Sequence, residues 1–288
     1  MKPLFTWAGG KNKMLKKYAP HLPKTFDRYI EPFLGAGAMF VWAYKQNPDA
    51  KFVLNDTNES IMQIYQAIKH DVNNFILYVE QLQEQYIPLT KIDRKKFYYE
   101  IRHEHAYDYE SWHKTKEAAT LYFLMKTGFN GIWQINKNCN NRYGTPAGLL
   151  TQKSVVFNKD NVREWHKALQ RCKLMVGDYN QTLRLANNDS FVFLDPPYRG
   201  CFTQYGVDFN DTMQSEVVSY LYKAVSQGSY VLLSNRDIED NFFIDQLKDN
   251  MTIINFDVTY TAGRRKKLDD NTFHAKKAKE ILIIGNKN

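Results

Sequence analysis

The chain has few cysteines and no long apolar run, and both absences narrow the classes of protein it can be. Only three of its 288 residues are cysteine, Cys139, Cys172 and Cys201, an odd number without metal-ligand spacing. We therefore expect neither a disulfide framework nor a zinc site. The apolar runs fall well short of the roughly 18 residues that span a bilayer, and the amino terminus lacks a signal-peptide stretch. We expect a soluble cytoplasmic protein with no membrane or metal partner.

Acidic residues are missing from the middle of the chain. No aspartate or glutamate occurs between Ala118 and Lys159, although 24% of all residues are charged. The same stretch is rich in amides and contains Lys126, Lys137, Arg142, Lys153 and Lys159. Together with a formal net charge of +8, this distribution favours a polyanionic partner.

Apolar runs at both ends of the chain indicate an α/β fold. From Arg28 to Asn58 the pattern is strand, glycine turn, helix, strand, which is a βαβ unit. Four more strand-like runs follow late in the chain: Ser190 to Leu194, Tyr230 to Ser234, Ile253 to Thr259 and Glu280 to Ile284. Helix-period segments dominate between about Ser60 and Phe157. We expect a mostly parallel doubly wound sheet, with one reversed strand pair near the end, interrupted by a helical insertion.

The tetrapeptide Asp195-Pro196-Pro197-Tyr198 closes the apolar run Phe191 to Leu194. The Asp195 carboxylate and the Pro196 carbonyl can accept hydrogen bonds from an exocyclic amino group, and two fixed proline φ angles make the turn rigid. Tyr198 can stack on a base. This combination favours an enzyme that modifies a flipped nucleobase, although the tetrapeptide alone also suits a rigid surface turn.

Gly35 and Gly37 follow the first predicted strand, and Asp56 lies 19 positions after Gly37, at the end of the second. Such glycines allow the backbone to approach a ligand closely, and the acid suits ribose hydroxyls. The third glycine of the dinucleotide pattern is missing, so a nucleoside without phosphates fits better. Taken alone, the two glycines are equally compatible with an ordinary tight turn.

Three motifs, Phe5 to Lys11, Glu31 to Gly37 and Asp195 to Tyr198, resemble in residues and in order the Dam-type (D12 class) DNA adenine-N6 methyltransferases. The resemblance extends over nearly the whole chain, through Asn55 to Asn58, Gly128 to Gly131, Gly177 to Tyr179 and Val231 to Asn235. It implies a Rossmann-like S-adenosylmethionine-dependent methyltransferase sheet. Residues 1–59 and 155–288 would form the catalytic domain, and residues 60–154 a mainly helical target-recognition domain carrying a β-hairpin.

The resemblance also implies a cofactor and its binding residues. S-adenosyl-L-methionine would be converted to S-adenosyl-L-homocysteine. Asp56 would accept from the ribose hydroxyls, and Asp178 from the cofactor's adenine amino group, with Tyr179 beside the ring. Trp7, Gly9, Gly10 and Lys11 would help to hold the methionine end, alongside Phe33, Gly35 and Gly37. The remaining implied cofactor residues are Ala8, Glu31 and Asp195.

The expected reaction is direct transfer of a methyl group to the amino nitrogen of a flipped adenine, with Asp195, Pro196, Pro197 and Tyr198 as the catalytic residues. Carbon-5 methylation of cytosine is disfavoured because it needs a cysteine nucleophile, typically preceded by proline, and no cysteine here follows one. Cytosine-N4 methylation stays open as a second reaction, against which Asp rather than Ser at position 195 argues. RNA adenine methylation and an inactive sequence-specific DNA-binding relative also stay open.

The implied partner is double-stranded DNA carrying a short target, bound by a monomer or by a dimer on DNA. Relatives that read GATC carry basic residues where this chain has Thr6 and Gln134, so the target is GATC or a variant of it. Thr203 and Tyr205 would contact DNA from the loop after the tetrapeptide, and Arg264, Arg265 and Lys267 would contact phosphates. The other expected DNA contacts are Asn130, Gly131, Asn138, Arg142 and Pro146, with Asn140 on the same predicted hairpin.

Overall fold

A computed structural model describes residues 1–7, 9–148, 155–200, 209–247, 251–260, 266–267, 273–274 and 276–286. The strands of the described part are β1 (Arg28–Glu31), β2 (Lys51–Asp56), β3 (Ile135–Asn136), β4 (Arg142–Tyr143), β5 (Cys172–Val176), β6 (Ser190–Leu194), β7 (Tyr230–Asp237), β8 (Met251–Tyr260), β9 (Lys266–Lys267), β10 (Phe273–His274) and β11 (Lys276–Gly285). The α-helices are α1 (Leu15–Tyr18), α2 (Ala38–Gln46), α3 (Glu59–His70), α4 (Val72–Tyr86), α5 (Lys91–Tyr107), α6 (Lys114–Thr127), α7 (Lys159–Leu169) and α8 (Asp211–Ser226).

Seven strands form the central sheet, in the order β5-β2-β1-β6-β7-β11-β8. The first five are parallel neighbours, and β11 pairs antiparallel with both β7 and β8. The reversed pairing expected near the end of the chain is therefore produced by a single inserted strand. The chain order reverses between β1 and β6, so a crevice at the carboxyl ends of these two strands is the place where such sheets bind ligands.

Burial on both faces explains why the central strands read as continuous apolar runs. In β6, Phe191 and Phe193 pack into one core layer, whereas Val192 and Leu194 pack into the other. The α8 residues Val217 and Leu221 cover the second layer. A parallel strand covered on both sides has no polar face, which is why β6 was recognisable from its sequence.

The helical insertion shares a core with the sheet. Asn58 caps α3 by accepting from the Ile61 N–H at 3.2 Å, a favourable start for a helix. Phe75 of α4 and Tyr122 of α6 belong to the same buried cluster as Phe191 of the sheet. The short antiparallel pair β3–β4 forms the expected hairpin on this insertion.

Strand β5 and helix α5 are among the regular elements that escaped the sequence-based prediction. Strand β5 lies at the edge of the sheet and leaves Lys173 and Val176 exposed, so it has no continuous apolar run. Helix α5 buries Tyr98 and Ile101, but its inward stripe also contains Arg94 and His105. Polar residues on the inward face hide the helical period, and only the basic run at its start was conspicuous.

No helix in the described ranges is long and apolar enough to cross a membrane. Within those same ranges, no group of three or more His, Cys, Asp or Glu side chains is arranged to hold a metal ion.

Candidate active site

Three acidic residues and a glycine lie at the carboxyl ends of parallel strands and meet at one edge of the sheet. Glu31 ends β1, Asp56 ends β2, Gly177 follows β5, and Asp195 follows β6. Because the carboxyl ends of parallel strands share one edge, residues far apart in the sequence surround a single crevice. The βαβ pattern and the tetrapeptide predicted this convergence.

Asp56 organises the turn that follows β1. Its carboxylate accepts from the Gly35 N–H at 2.8 Å and from the Asn58 N–H at 2.9 Å. Burial raises the pKa of Asp56 to about 6, despite these backbone hydrogen bonds. No cation pairs with this carboxylate within the described residues, and it retains the capacity to accept from hydroxyl donors.

Gly35 and Gly37 are required for a reason different from the expected approach of a ligand. Both have left-handed backbones, with φ of +48° and +69°. A Cβ on Gly35 would lie 2.9 Å from the Trp7 indole nitrogen, and one on Gly37 would lie 2.6 Å from the Trp165 ring. The indoles fill the space beside these glycines, so packing and backbone conformation together exclude side chains here.

Asn55 ties together the loops that surround the crevice. It is fully buried, and its side-chain amide donates to the carbonyls of Pro32 and Gly177 at 2.9 and 3.0 Å. Its side-chain oxygen accepts from Gln181 at 2.9 Å. The loops after β1 and β5 are therefore connected through one side chain, a role that sequence reasoning did not assign.

An aromatic pair lies at the β5 side of the crevice. The rings of Phe33 and Tyr179 have centroids 4.9 Å apart. The adjacent Asp178 is exposed and accepts from the Asn180 N–H at 2.7 Å. Stacking surface and an exposed acceptor are therefore adjacent, which suits a purine with an amino group.

Glu31 brings a buried carboxyl group to the centre of the crevice. Burial raises its pKa well above the usual value, against the hydrogen bond from the Tyr29 hydroxyl at 2.9 Å, and the charge of Asp195 adds to the rise. A positive charge placed near Glu31 would favour the ionised form of its carboxyl group.

The Asp195 carboxylate is held at one of its two oxygens. Oδ1 accepts from the Lys11 ammonium at 2.7 Å and from the Ser234 hydroxyl at 2.8 Å. Lys11 itself is buried and also donates to the Gly9 carbonyl at 2.7 Å. In the described part of the chain, no group donates to Oδ2.

Buried amides hold the rest of the tetrapeptide turn. Gln214 donates to the Pro197 carbonyl at 2.7 Å and accepts from the Asn235 amide at 2.9 Å. The Asn235 oxygen in turn accepts from the Arg199 N–H at 3.1 Å. Helix α8 and strand β7 therefore position the turn through side chains that are both fully buried.

Arg199 fastens the end of the turn to two neighbouring segments. Its guanidinium donates to both oxygens of Asp211, at 2.7 and 2.8 Å, and to both oxygens of Asp240, at 2.9 and 2.7 Å. It also lies 3.8 Å from the centroid of the Phe242 ring. Bidentate pairs of this kind are directional, so they fix the chain directly after Tyr198.

Tyr198 is oriented by a residue from the other end of the chain. Its hydroxyl donates to the buried Glu280 carboxylate at 3.3 Å, and the Tyr18 hydroxyl donates to the same oxygen at 3.4 Å. Burial raises the pKa of Tyr198 well above its usual value, and the charge of Asp195 adds to this. The hydroxyl is therefore a donor at neutral pH.

Two segments that supply expected DNA contacts, the amino-terminal segment with Thr6 and the segment that leads into the hairpin, pack against each other. Thr6 packs directly against Gly131, where an added Cβ would lie 2.6 Å from the Thr6 Cβ. The main-chain carbonyl of Gln134 accepts from the Gly144 N–H at 2.7 Å. Asn130 is exposed, with φ of 52°. The amino-terminal segment and the hairpin are therefore adjacent.

Asn138 and Pro146 are exposed at the ends of the hairpin. The Asn138 carbonyl accepts from the Tyr107 hydroxyl at 3.2 Å, and the Pro146 carbonyl accepts from the Phe129 N–H at 2.9 Å. In these contacts Asn138 and Pro146 take part through their main-chain carbonyls.

Arg142 is engaged inside the insertion. Its guanidinium pairs with the buried Glu117 carboxylate and lies 3.3 Å from the centroid of the Tyr109 ring. The pair with Glu117 uses only the Nη2 group of Arg142, so the expected role of Arg142 in reading DNA stays a prediction. Such a buried partnership could not be seen in the sequence.

Several expected site residues lie outside the described residues: Ala8, Thr203, Tyr205, Arg264 and Arg265. Lys267 belongs to the short strand β9.

Sequence reasoning did not assign several residues that hold the tetrapeptide turn. The only signal for most of them was a polar residue at the border of an apolar strand. Ser234 and Asn235 follow the apolar run in β7, and Glu280 directly precedes the apolar run in β11. Gln214 gave no such signal, because a single amide in an amphipathic helix is ordinary. What these residues touch became apparent only from the fold.

The sheet order and the crevice define a doubly wound α/β protein of the kind that binds ligands at the carboxyl edge of its sheet. The chain belongs to the D12 class of N6 adenine-specific DNA methyltransferases, whose family model matches residues 7–262. This confirms the resemblance and the enzyme class expected from the motifs, and the family implies use of S-adenosylmethionine and a DNA substrate.

Individual relatives resemble most of the chain. The type II methyltransferase M.MjaIII of Methanocaldococcus jannaschii is 31% identical over 246 residues, which cover 82% of this chain and 84% of that protein. The DNA adenine methylase of Vibrio cholerae is 28% identical over 239 residues, which cover 80% of each. A solved SAM-dependent O-methyltransferase of Thermotoga maritima has a TM-score of only 0.40 and 12% identity, covering 96% of this chain and 66% of that one. The fold class therefore rests on the sheet order itself.

Proposed function

We propose that this protein methylates N6 of a flipped adenine in a short double-stranded DNA sequence, with S-adenosylmethionine as the methyl donor. The observation that carries the proposal is the position of Asp195. Its carboxylate lies at the switch point of the sheet, in the same crevice as Asp56 and the glycine turn, with Oδ2 left as an acceptor. Acceptor and cofactor crevice are therefore adjacent.

The residues of the crevice fit this cofactor. S-adenosylmethionine carries a positively charged sulfonium with a transferable methyl group, an adenosine and a methionine end. Asp56 has acceptor capacity for ribose hydroxyls, and the Phe33–Tyr179 pair with Asp178 suits the adenine. The buried Glu31 carboxyl group, whose pKa is raised by burial, would be favoured in its ionised form by a nearby cation. We propose these roles together with Trp7, Gly9 and Gly10.

The tetrapeptide orients the target amino group. An amino nitrogen conjugated with a purine is a poor nucleophile, so acceptors at Asp195 Oδ2 and the Pro196 carbonyl would draw its lone pair out of conjugation. Tyr198, whose hydroxyl is held by Glu280, would stack on the base. Rigid positioning of the two reactants supplies much of the rate, and no covalent intermediate with the protein is needed.

Residues 60–154 would recognise the target, and residues 1–59 and 155–288 would carry the chemistry. We propose GATC or a variant of it as the target, read in part by Thr6 and Gln134. Thr6 packs on Gly131, three positions before Gln134, which supports a shared role for the two residues in reading the target. A Gln in place of a basic residue shifts the preference from guanine towards adenine.

The decisive experiment is methylation of plasmid DNA from a host that lacks adenine methylation, with labelled S-adenosylmethionine. Base-resolved sequencing and nucleoside analysis identify the product and the target. We expect N6-methyladenine at one short motif. Asp195→Ala should abolish transfer while DNA binding is retained, and Asp189→Ala, which changes an exposed aspartate before β6, should keep full activity.

Each contrary outcome rejects a specific part of the proposal. Detection of N4-methylcytosine would show that the target base is cytosine and not adenine, while the proposed transfer of methyl to an amino group would stand. DNA binding without transfer of label would identify an inactive relative. Full turnover by Asp195→Ala would remove the tetrapeptide from the mechanism. Methylation at a motif other than GATC would leave the reaction intact and direct attention to Thr6→Lys and Gln134→Arg as the first specificity variants.

A further inference from the structure

Lys11 has contacts that a role in binding the cofactor's methionine end does not explain. Its side chain is only 6% exposed, and its ammonium lies 2.7 Å from Asp195 Oδ1 and 2.7 Å from the Gly9 carbonyl. The same ammonium lies 4.7 Å from the centroid of the Tyr198 ring. Its charge is therefore already paired within the chain, between the carboxylate and the ring that we propose bind the target base.

The pairing affects the two oxygens of Asp195 differently. Oδ1 accepts from both Lys11 and Ser234, whereas no described group donates to Oδ2. A carboxylate fixed at one oxygen by two donors cannot rotate freely, so its other oxygen points in a defined direction. Charge-assisted hydrogen bonds are short and strong enough to impose such an orientation.

We propose that Lys11 is a positioning residue for Asp195 and not a ligand of the cofactor's methionine carboxylate. Together with Ser234, it holds Oδ1 so that Oδ2 accepts from the target amino group. This inference rests on the proposed function, and it deepens that function by assigning the two oxygens different tasks.

Electrostatics supports a buried cation at this position. Asp195 lies in a crevice that also contains the buried carboxyl groups of Glu31 and Glu280. A desolvated carboxylate is costly unless it is paired, and otherwise it takes up a proton. The ammonium of Lys11, 2.7 Å from Oδ1, therefore offsets the cost of enclosing the Asp195 carboxylate beside these carboxyl groups.

The test separates the chemical step from binding of the methionine end. Single-turnover methyl transfer is measured at saturating DNA and cofactor, and calorimetry gives affinities for S-adenosylhomocysteine and for 5′-methylthioadenosine, which lacks the amino-acid end. For Lys11→Met we expect transfer slowed about a hundredfold, the size of effect that misplacement of a catalytic group produces. Both affinities should change by less than about threefold, a free-energy difference below about 0.7 kcal/mol.

Two further variants test the contacts of Asp195 Oδ1, and a third variant is a control. Ser234→Ala removes the other donor to Oδ1 and should slow transfer about tenfold without weakening either ligand. Lys11→Arg keeps the cation and should recover at least about tenfold of the rate lost in Lys11→Met. Lys16→Met removes an exposed lysine from α1 and should leave the single-turnover rate unchanged.

The proposal is overturned if Lys11→Met keeps the saturating rate but lowers the affinity for S-adenosylhomocysteine about tenfold more than the affinity for 5′-methylthioadenosine. Lys11 would then bind the methionine end. It is also rejected if Lys11→Met changes neither the rate nor the affinities. A loss of rate in Lys11→Met rejects it as well if Lys11→Arg does not restore the rate and Ser234→Ala does not lower it. If the wild-type protein transfers no label, the proposed function itself fails.

Discussion

The helical insertion and the carboxyl edge of the sheet both enclose carboxylates, but they satisfy them differently. In the insertion, Glu117 is surrounded by donors: Arg142, Lys114 at 3.1 Å and Gln63 at 2.8 Å. Although burial opposes its charged form, these hydrogen bonds hold the pKa of Glu117 below its usual value. At the edge, Asp56 has only backbone N–H partners, and burial raises its pKa to about 6.

The difference indicates what each region does with its charges. The insertion pairs its charges internally, which contributes to folding and leaves few groups for a ligand. The edge keeps carboxylates with unused acceptor capacity, which costs stability and favours a ligand that donates hydrogen bonds or carries positive charge. Variants at the two carboxylates should therefore have opposite profiles in stability and in binding.

The largest effect on stability is expected in the insertion. Glu117→Ala leaves the Arg142 guanidinium enclosed without its partner, and loss of one member of a buried pair costs about 3–5 kcal/mol. Urea denaturation should show this loss, and the folded variant should bind S-adenosylhomocysteine as tightly as the wild type. Because the folded pKa of Glu117 is depressed, its contribution is present above its ordinary pKa and lost as the pH falls through the folded value.

The matched control is Glu104→Ala, which removes an exposed carboxylate from α5. It should change the unfolding free energy by less than about 0.5 kcal/mol. A comparably small loss for Glu117→Ala would contradict the assigned role of the pair.

A second prediction concerns Asn55, which joins the loops at the edge. Asn55→Ala removes the donor to the buried Pro32 carbonyl and to the half-buried Gly177 carbonyl, a loss of about 1–3 kcal/mol in unfolding free energy. Unlike Glu117→Ala, it should also weaken the binding of S-adenosylhomocysteine, because the loops after β1 and β5 are no longer joined. Calorimetry and urea denaturation measure both effects, and Asn73→Ala, at an exposed position of α4, serves as the control. An unchanged affinity would separate Asn55 from the site.

A third prediction uses the raised pKa of Asp56. We propose that its ionised form accepts from the ribose hydroxyls, so affinity for S-adenosylhomocysteine should fall about tenfold between pH 7 and pH 5. Asp56→Asn should bind more weakly at pH 7 and lose this part of the pH dependence. If the wild type and Asp56→Asn have parallel pH profiles of affinity, Asp56 does not contact the ligand.

Stability should respond to Asp56 in the opposite direction. A folded pKa above the ordinary value means that the contribution of Asp56 to stability is present below that ordinary value and is lost as the pH rises through about 6. Thermal unfolding at pH 8 should therefore find Asp56→Asn at least as stable as the wild type. Ionised Asp56 thus opposes folding while it serves binding, which is the reverse of Glu117.

The smallest effect is expected for Tyr198→Phe. The variant keeps the stacking ring and loses the hydrogen bond to Glu280, so the saturating rate of methyl transfer should fall only about threefold, the size of one hydrogen bond. Tyr198→Ala also loses the stacking surface and should lose considerably more. Equal losses in the two variants would show that orientation by Glu280, and not the ring, matters most.

Local signals explain which parts of the site could be predicted. Asp195, Asp56 and the glycine turn each follow an apolar strand directly, so their shared edge follows from the parallel topology. Asn55 and Glu280 could not be assigned, because their partners are distant in sequence: Gly177 lies 122 positions from Asn55, and Tyr198 lies 82 positions from Glu280. Edge strand β5 and helix α5 escaped prediction because polar residues interrupt their apolar pattern.

The sequence by itself determined the fold class, the family and the principal acceptor, because each is encoded by contiguous residues with fixed local geometry. The tertiary structure alone decided how those residues are used. It paired Lys11 with Asp195, enclosed Arg142 with Glu117, and filled the space beside the glycines with Trp7 and Trp165. The physical reason is that charge pairing and packing depend on which side chains the fold brings within a few ångströms, and distance along the chain does not specify this.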